Sequence, residues 1–186
     1  MGFGIEGQRV RLVPLDEERH FENCYRWIND PDITATLMAD GFITRLAEQE
    51  WFKGACLSKS DIYFAIELLD GTHIGNTALH GVNYQHGSAI SGTFIGDKSQ
   101  WGKGYASEAV RLRTRFAFET LGLRLILSAY LGDNGASWRM QQKSGYHEIG
   151  RIPKRYWKRG QYVDEVLTMC TRESAIAAGV LSLPER

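Results

Sequence analysis

The chain has 186 residues, of which 43% are hydrophobic, so it is the size of one domain and can bury a substantial core. Its 22 basic and 22 acidic residues give a formal net charge of zero. This balance disfavours a broad electrostatic surface for nucleic acid or for an anionic membrane, so any anion site must be local.

The three cysteines, Cys24, Cys56 and Cys170, lie far apart and lack Cys-x-x-Cys spacing. This argues against a disulfide framework and against a zinc site, so we expect buried thiols, a reducing compartment and no metal. No stretch approaches 18 apolar residues, and the start of the chain, residues 1–6, lacks the basic-then-apolar order of a signal peptide. The expected location is cytoplasmic.

Hydrophobic periodicity and turn residues predict the order of the elements. The predicted elements are a strand over 9–15, a helix from 17 to about 29 capped by Asp16, an irregular stretch over 31–42, a helix from the cap Thr44 toward 58, strands over 62–68, 73–80 and 89–95, a helix over 106–121, a strand over 123–131, a helix over 136–143, strands over 146–152 and 162–170, and a short helix within 173–181 that Pro184 would end.

Three local cues support this order. Asp70-Gly71 between two strand-like runs is a strong hairpin signal. Leu46, Trp51 and Phe52 give the second helix its apolar side. Arginines interleave with the apolar residues of the long helix, where we expect them on an exposed face: Arg111, Arg113 and Arg115.

The segment 99–110 contains a glycine-rich turn that leads into the long helix. Gly102 and Gly104 allow a tight turn, and the following helix start presents unpaired N–H groups at the positive end of its dipole. Such a site binds phosphate, although an ordinary strand-to-helix turn would have the same glycines.

Two common phosphate-binding motifs fit this turn poorly. A Walker-type loop fails because five residues separate Gly96 from Gly102, and Gly104 occupies the place of the required hydroxyl residue. A dinucleotide fingerprint is weak, because its third small residue would be Ser107 and the motif would need an early, repeated βαβ pattern.

A third pattern fits better. Trp-Gly-Lys-Gly-Tyr-Ala over 101–106 resembles the pyrophosphate loop of the GCN5-related N-acetyltransferases (GNAT). It matches at Gly104 and Ala106, and it departs at Trp101 as in the branch that includes ribosomal-protein N-terminal and many small-amine acetyltransferases. Further resemblances to that branch occur at 27–33 (with Trp27 and Asp30-Pro31), at 134–146 (Asn-x-x-Ser, then Lys-Ser-Gly-Tyr) and at 160–164 (Gly-Gln-Tyr-Val-Asp).

The resemblance implies a mixed α/β GNAT fold in one domain over 1–186, with a core over about 9–172 and a tail over 173–186. Its centre would be a mostly antiparallel twisted sheet of about seven strands, with a βαβ crossover that binds acetyl-CoA. The implied activity is acetyl transfer from acetyl-CoA to a primary amine by direct attack, without a covalent enzyme intermediate.

The resemblance also implies the CoA site. The turn would hold the pyrophosphate, and the pantetheine arm would enter a splay in the sheet and pair with the strand before the turn, whose N–H groups could also steady the oxyanion. Asn134 would orient the pantetheine or only stabilise its turn. The residues expected to bind CoA are Thr93, Phe94, Ile95, Trp101, Gly102, Lys103, Gly104, Tyr105, Ala106, Ser107 and Asn134.

Two family positions with reactive side chains differ here. Gln141 stands where many relatives have the tyrosine that protonates the thiolate, so Ser137 is the candidate acid, unless it only caps a helix. Ile90 stands where many relatives have a glutamate base. His80 is the candidate base because an imidazole can exchange a proton near neutral pH, although such a histidine is more often a core or surface residue.

The acceptor would be a small molecule (an amino sugar, a polyamine or an antibiotic) or a protein N-terminus, with no nucleic acid or membrane partner. Asp32, Asp164 and Glu165 could attract a cationic acceptor. The resemblance also allows a homodimer. A CoA-binding module without catalysis and a nucleotide hydrolase are the alternative functions.

Overall fold

One eight-stranded sheet organises the chain, and the computed structural model describes residues 4–183. The mixed α/β fold predicted from the sequence is confirmed. Seven strands correspond to predicted ones, and the eighth, at the N-terminal edge, is only two residues long and too short to give a periodic signal. The strands are β1 (Ile5–Glu6), β2 (Val10–Pro14), β3 (Ile62–Leu68), β4 (His73–Asn83), β5 (Ser88–Ile95), β6 (Leu125–Leu131), β7 (His147–Lys158) and β8 (Gln161–Thr171).

The helices begin where the sequence places capping residues. The side chain of Asp16 accepts a hydrogen bond from the Arg19 amide at 3.0 Å, and that of Thr44 accepts one from the Ala47 amide at 3.2 Å. Both caps were predicted and are confirmed. The six helices are α1 (Glu17–Ile28), α2 (Pro31–Thr34), α3 (Arg45–Leu57), α4 (Tyr105–Arg115), α5 (Gly135–Gln142) and α6 (Arg172–Ala177).

Helix α2 lies in a stretch that the sequence analysis left irregular. Pro31 ends α1 because it disfavours the helical backbone conformation at Asp30. It also occupies the first position of the next helix, where the N–H group that proline lacks would have no partner within the helix. Asp30 caps α2 and forms an ion pair with Lys98 at 2.8 Å. The hydrogen bond from Lys98 lowers the pKa of Asp30, so this carboxylate has a specific partner in the folded chain.

The strand order is β1-β2-β3-β4-β5-β6-β8-β7. All neighbouring strands are antiparallel except β5 and β6, which are parallel and connected by α4. The predicted βαβ crossover is therefore confirmed. The parallel pairing covers only residues 88–90 with 125–127, and beyond this point the two strands separate.

Strand β7 is longer than predicted. The sequence analysis ended it at residue 152, but the register shifts between Ile152 and Tyr156, around Pro153, and the strand then resumes to Lys158. Strand β7 lies at the edge of the sheet. A proline is tolerated in a bulge there, because no backbone hydrogen bond between strands requires its missing N–H group.

The two faces of the sheet pack against different helices. On one face, α4 inserts Ala109 and Leu112 into one apolar cluster and Val110 into another. On the opposite face, α1 and α3 pack through Phe21, Cys24 and Phe52. The alternation along β4 shows the division, because Asn76 contacts Cys24 and the next residue, Thr77, contacts α4.

Arg113 is the main exception to the expected exposed face of α4. Its side chain is only 2% exposed, and it donates hydrogen bonds to Thr77 Oγ1, Thr93 Oγ1, the Gly92 carbonyl and Tyr146 Oη at 2.6–3.1 Å. The expectation was wrong here because these hydroxyl and carbonyl groups lie far away in sequence. They replace the water that a guanidinium otherwise requires.

Two other expectations need correction. Cys24 and Cys170 are buried, but Cys56 is exposed. Leu46 and Trp51 are exposed, since the buried face of α3 consists of Glu48, Phe52 and Ala55. Among residues 4–183, no helix is long and apolar enough to cross a membrane, and no group of three His, Cys, Asp or Glu side chains could hold a metal ion.

The C-terminal helix ends earlier than predicted. Helix α6 ends at Ala177, although Val180 and Leu181 beyond it are buried in the core. Pro184, which was expected to end this helix, lies outside the described residues, as do residues 1–3 of the expected signal-free start.

We predict that Arg113→Ala lowers the free energy of unfolding by about 3 kcal/mol or more, because it leaves several buried acceptors without a donor. Urea denaturation followed by circular dichroism measures this. The control is Arg115→Ala, since Arg115 is exposed on the same helix and its removal should cost no more than about 0.5 kcal/mol. Equal losses for the two variants would contradict the prediction.

Candidate active site

A cavity of about 770 Å³ opens where β5 and β6 separate. Its walls are the second half of β5, the turn before α4, the end of β6 and one side of α5. The loop after α2 contributes Thr36, Leu37 and Met38. We call this the first cavity. It holds most of the residues that the sequence analysis expected to bind CoA: Thr93, Phe94, Ile95, Trp101, Gly102, Gly104, Tyr105, Ala106, Ser107 and Asn134.

The edge of β5 that faces the first cavity is short. The Ser91 carbonyl accepts a hydrogen bond from Ser128 Oγ at 3.1 Å, and the Ile95 carbonyl accepts one from Trp101 Nε1 at 2.8 Å. Since backbone groups of alternate residues point to the same edge, the N–H and C=O of Thr93 lie between these two contacts. A ligand in the first cavity therefore meets the backbone of Thr93 first.

The glycine turn has the conformation that phosphate binding requires. Gly102 and Gly104 have φ angles of +76° and +85°, which favour glycine, and Gly104 is the N-cap of α4. No side chain caps this helix, so its first N–H groups remain available to a ligand. Residues 101–104 are exposed, and the N-terminus of α4 is therefore suited to an anion.

Two basic residues lie near this turn without lining the first cavity. The ammonium of Lys103 donates to Gln100 Oε1 at 3.1 Å. Arg9, which the sequence analysis placed only in a strand, donates to the Lys103 carbonyl at 2.9 Å and forms an ion pair with Glu108 at 2.9 Å. No sequence signal connects Arg9 with the turn, because the two are about ninety positions apart.

Asn134 and Ser137, at the start of helix α5, line the other wall of the first cavity, and Gln141 contacts Ser137 without lining it. Asn134 caps this helix by accepting from the Ser137 amide at 3.0 Å, and it donates to the Thr36 carbonyl at 3.2 Å. Gln141 is buried, accepts from Thr168 Oγ1 at 2.6 Å and directs its amide toward Ser137 Oγ at 3.4 Å. The cap is thus Asn134, and the hydroxyl proton of Ser137 is free to point into the cavity.

A second cavity of about 600 Å³ lies on the opposite face of β4 and β5, beneath α1 and α3. Its lining is mostly apolar and includes Leu15, Ile28, Ile43 and Trp51. It shares five lining residues with the first cavity: Leu37, His80, Gly92, Thr93 and Phe94. The two cavities therefore meet at the middle of β5, and we call this place the junction.

His80 stands at the junction with a carboxylate behind it. A Cβ atom added to Gly92 would lie 3.6 Å from His80 Nε2, so this nitrogen lies over Gly92. The other nitrogen, Nδ1, is 3.7 Å from Asp61 Oδ2, which also accepts from the Tyr63 hydroxyl at 3.1 Å. A hydrogen bond from the Gly81 amide lowers the pKa of Asp61, so this carboxylate is ionised at neutral pH.

Of the three acidic residues expected to attract the acceptor, two lie outside both cavities. Asp32 is paired with Lys98 at 3.0 Å, and Asp164 with Arg151 at 3.3 Å; neither lines a cavity. A hydrogen bond from the Lys154 amide, followed by that from Arg151, lowers the pKa of Asp164. Glu165 does line the first cavity, but it is paired with Arg155 at 3.0 Å.

Sequence analysis missed several residues of the two cavities. Arg139 and Lys143 line the first cavity, and their spacing of four on a predicted helix was a usable signal. Glu48 lines the second cavity, and its place one helical turn before Phe52 put it on the apolar face. Asp61 lies among polar residues just before a strand, and no feature of its sequence neighbourhood indicated that it would lie beside His80.

Comparison with known proteins identifies the family of the chain. A family model described as acetyltransferase (GNAT) domain matches residues 9–147, most of the chain. A probable N-acetyltransferase of Bacillus subtilis, YjcK, is 37% identical over 79 residues, which cover 41% of this chain. The match spans 44% of the length of that relative.

Solved structures share the fold along nearly the whole chain. A spermidine N-acetyltransferase from Vibrio cholerae, crystallised with CoA and spermine, superposes with a TM-score of 0.83 at 18% identity, covering 90% of this chain and 98% of that chain. A GNAT-family acetyltransferase from Bacillus anthracis superposes with a TM-score of 0.78 at 20% identity, covering 92% and 99%. At these identities the likeness concerns the fold.

We predict that Gly104→Ala weakens CoA binding by about tenfold, because a residue with a Cβ shifts the turn and misdirects its N–H groups. Isothermal titration calorimetry measures the affinity. The control is Gly122→Ala, since Gly122 also has a positive φ of +67° and open space around it, but lies outside both cavities. Unchanged CoA affinity in the Gly104 variant would contradict the prediction.

Proposed function

Because the chain belongs to the GNAT acetyltransferase family, we propose that it transfers the acetyl group of acetyl-CoA directly to a primary amine. The acceptor is a small-molecule amine or a protein N-terminal amine. The observation that carries the proposal is the junction: a cavity with an open strand edge and an uncapped helix N-terminus meets an apolar cavity at His80 and Gly92.

The first cavity suits acetyl-CoA in three parts. The N–H groups at the start of α4 would bind the pyrophosphate, as helix N-termini do. The backbone of Thr93 on the open edge of β5 would pair with the pantetheine arm. At the junction, backbone N–H groups of β5 would stabilise the negative oxygen that forms on the thioester carbon.

His80 is the proposed base. An alkyl ammonium with a pKa of about 10 must lose a proton before its nitrogen can attack the thioester carbonyl. His80 would accept that proton at Nε2, directly or through water, while the carboxylate of Asp61 orients the ring and stabilises its protonated form. The proposed base thus lies on β4, whereas many relatives have a glutamate base at the position that Ile90 occupies here.

Ser137 is the proposed acid. As the carbon–nitrogen bond forms and the carbon–sulfur bond breaks, the sulfur leaves as a thiolate and takes up a proton. Since Gln141 directs its amide toward Ser137 Oγ, the hydroxyl proton can point toward the sulfur. Gln141 itself has no acidic proton, and its contact with Thr168 supports a structural role.

Direct transfer agrees with the state of the nearest thiol. Cys24 lines the second cavity, but burial raises the pKa of its thiol to about 12. Such a thiol is protonated at neutral pH and is a poor nucleophile. An acetyl-cysteine intermediate at this position is therefore disfavoured.

A CoA-binding module without catalysis is the second candidate. It is favoured by Ile90 and by the buried Gln141, which replace reactive side chains of many relatives. The two candidates differ in turnover but not in CoA binding, so one assay separates them.

We expect the protein, incubated with acetyl-CoA and a panel of primary amines, to release free CoA thiol faster than background hydrolysis with at least one amine. A thiol-reactive chromophore follows the release, and mass spectrometry identifies the acetylated amine. Tight CoA binding without turnover of any amine would instead support the silent module. Preference for ATP over CoA in a thermal-shift comparison would contradict both.

We predict that His80→Gln lowers kcat/KM by about 100-fold near neutral pH, because the base is lost. The acid limb of the pH profile of kcat/KM, which reports protonation of that base, should disappear as well. CoA affinity should change little, as His80 acts on the amine. The matched control is His86→Gln, since His86 is exposed in the turn between β4 and β5. An unchanged acid limb would rule out His80.

A further inference from the structure

We infer that the second cavity selects acceptor amines with a second positive charge, and that Glu48 is the residue that binds this charge. The inference rests on the proposed function, because it names the class of acceptor for the same site. The reacting amine would lie at the junction, and a separate cationic nitrogen of the same molecule would lie against Glu48.

The carboxylate of Glu48 is buried and uncompensated. The residue is 5% exposed, and in the part of the chain that the structure describes its carboxylate forms no hydrogen bond and no ion pair. Its oxygens are not sealed by protein, since Glu48 lines the second cavity. Burial alone raises the pKa of this carboxyl, which indicates that no neighbouring protein group stabilises its charge.

The other polar groups of the second cavity already have partners. Asp40 is paired with Lys158 at 3.0 Å. Asn76 donates to Cys24 Sγ and contacts His73 Nε2 at 3.0 Å, and Thr77 accepts from Arg113. Among the described carboxylates that line this cavity, the charge of Glu48 is thus the one left unbalanced.

A cationic ligand would remove this imbalance. An unpaired buried carboxylate is costly, and a cation brought beside it offsets that cost. The surrounding walls of Leu15, Ile28, Ile43 and Trp51 are apolar, so the cation must be attached to an apolar stem. An alkyl chain that ends in an ammonium has this form.

Glu48 lines the second cavity but not the first, whereas the residues of the junction line both. At the junction, the ring centroid of Tyr63 lies 5.2 Å from that of His80 and 5.6 Å from that of Trp51. Because Glu48 does not line the cavity proposed for acetyl-CoA, the cation at Glu48 is a different group from the nitrogen that attacks the thioester.

The test compares α,ω-diaminoalkanes of three to eight carbons with n-alkylamines of equal length. For the wild-type protein we expect at least one diamine to exceed its monoamine in kcat/KM by about tenfold or more. Glu48→Gln should remove this preference through a higher KM for the diamine, with kcat and the pH profile kept. The control is Glu50→Gln, since Glu50 is exposed on the same helix and its loss should preserve the preference.

Other outcomes would overturn the inference. Equal kcat/KM for both amine types, or an equal loss for both in the Glu48 variant, would show that Glu48 recognises no second charge. Loss of the acid limb in Glu48→Gln would make Glu48 a base instead. Circular dichroism and CoA affinity confirm that the variant is folded.

A binding experiment separates this inference from the proposed function. If no amine is turned over, the proposed function fails, but calorimetric titration of 1,5-diaminopentane and pentylamine into the CoA-loaded protein still tests Glu48. Tighter binding of the diamine, lost in Glu48→Gln and kept in Glu50→Gln, supports the inference. Indistinguishable binding of the two amines contradicts it.

Discussion

The early end of the pairing between β5 and β6 is the constraint on which the site depends. The two parallel strands share only three residue pairs, and then the sheet opens. The opening provides the volume of the first cavity and exposes an edge of β5. It also directs the chain from the end of β5 into the glycine turn and α4. A sheet paired along its whole length would leave neither an unpaired backbone edge nor a place for a ligand beneath the helix N-terminus.

Such an opening weakens the sheet, and the buried guanidinium of Arg113 compensates for it. The guanidinium extends from α4 and donates to the Gly92 carbonyl and to the hydroxyls of Thr77 and Thr93. It therefore connects β4 and β5 at the place where β6 separates from β5. Trp101 secures the far end of the same edge through the Ile95 carbonyl. The positive charge of Arg113 also lies directly beneath the backbone that the proposed mechanism assigns to the oxyanion. Fold stability and proposed chemistry thus depend on the same contacts.

Local signals in the sequence predicted the parts of the fold that local physics decides. Asp16 and Thr44 cap helices, Asp70-Gly71 forms the hairpin between β3 and β4, and the crossover around α4 follows from its glycine turn. Features that depend on distant partners were not predictable in this way. Arg113 lies four residues from Ala109 and from Ala117, which puts it on the buried face of α4, but the hydroxyls and the carbonyl that allow a guanidinium to be buried there come from other elements. The continuation of β7 beyond residue 152 was missed, because it depends on a register shift against β8 at the edge of the sheet. The position of Arg9 beside the glycine turn and that of Asp61 behind His80 both require the assembled sheet.

The two cavities are built from different stretches of the chain. Helices α1 and α3 and the loop between them provide the walls around Glu48, whereas the glycine turn, β6 and α5 provide the walls of the first cavity. They share only the strand residues at the junction and Leu37. If the proposed function holds, changes confined to α1 and α3 would alter the choice of acceptor, whereas changes in the loop after α2 would reach both sites, because Thr36, Leu37 and Met38 also line the first cavity.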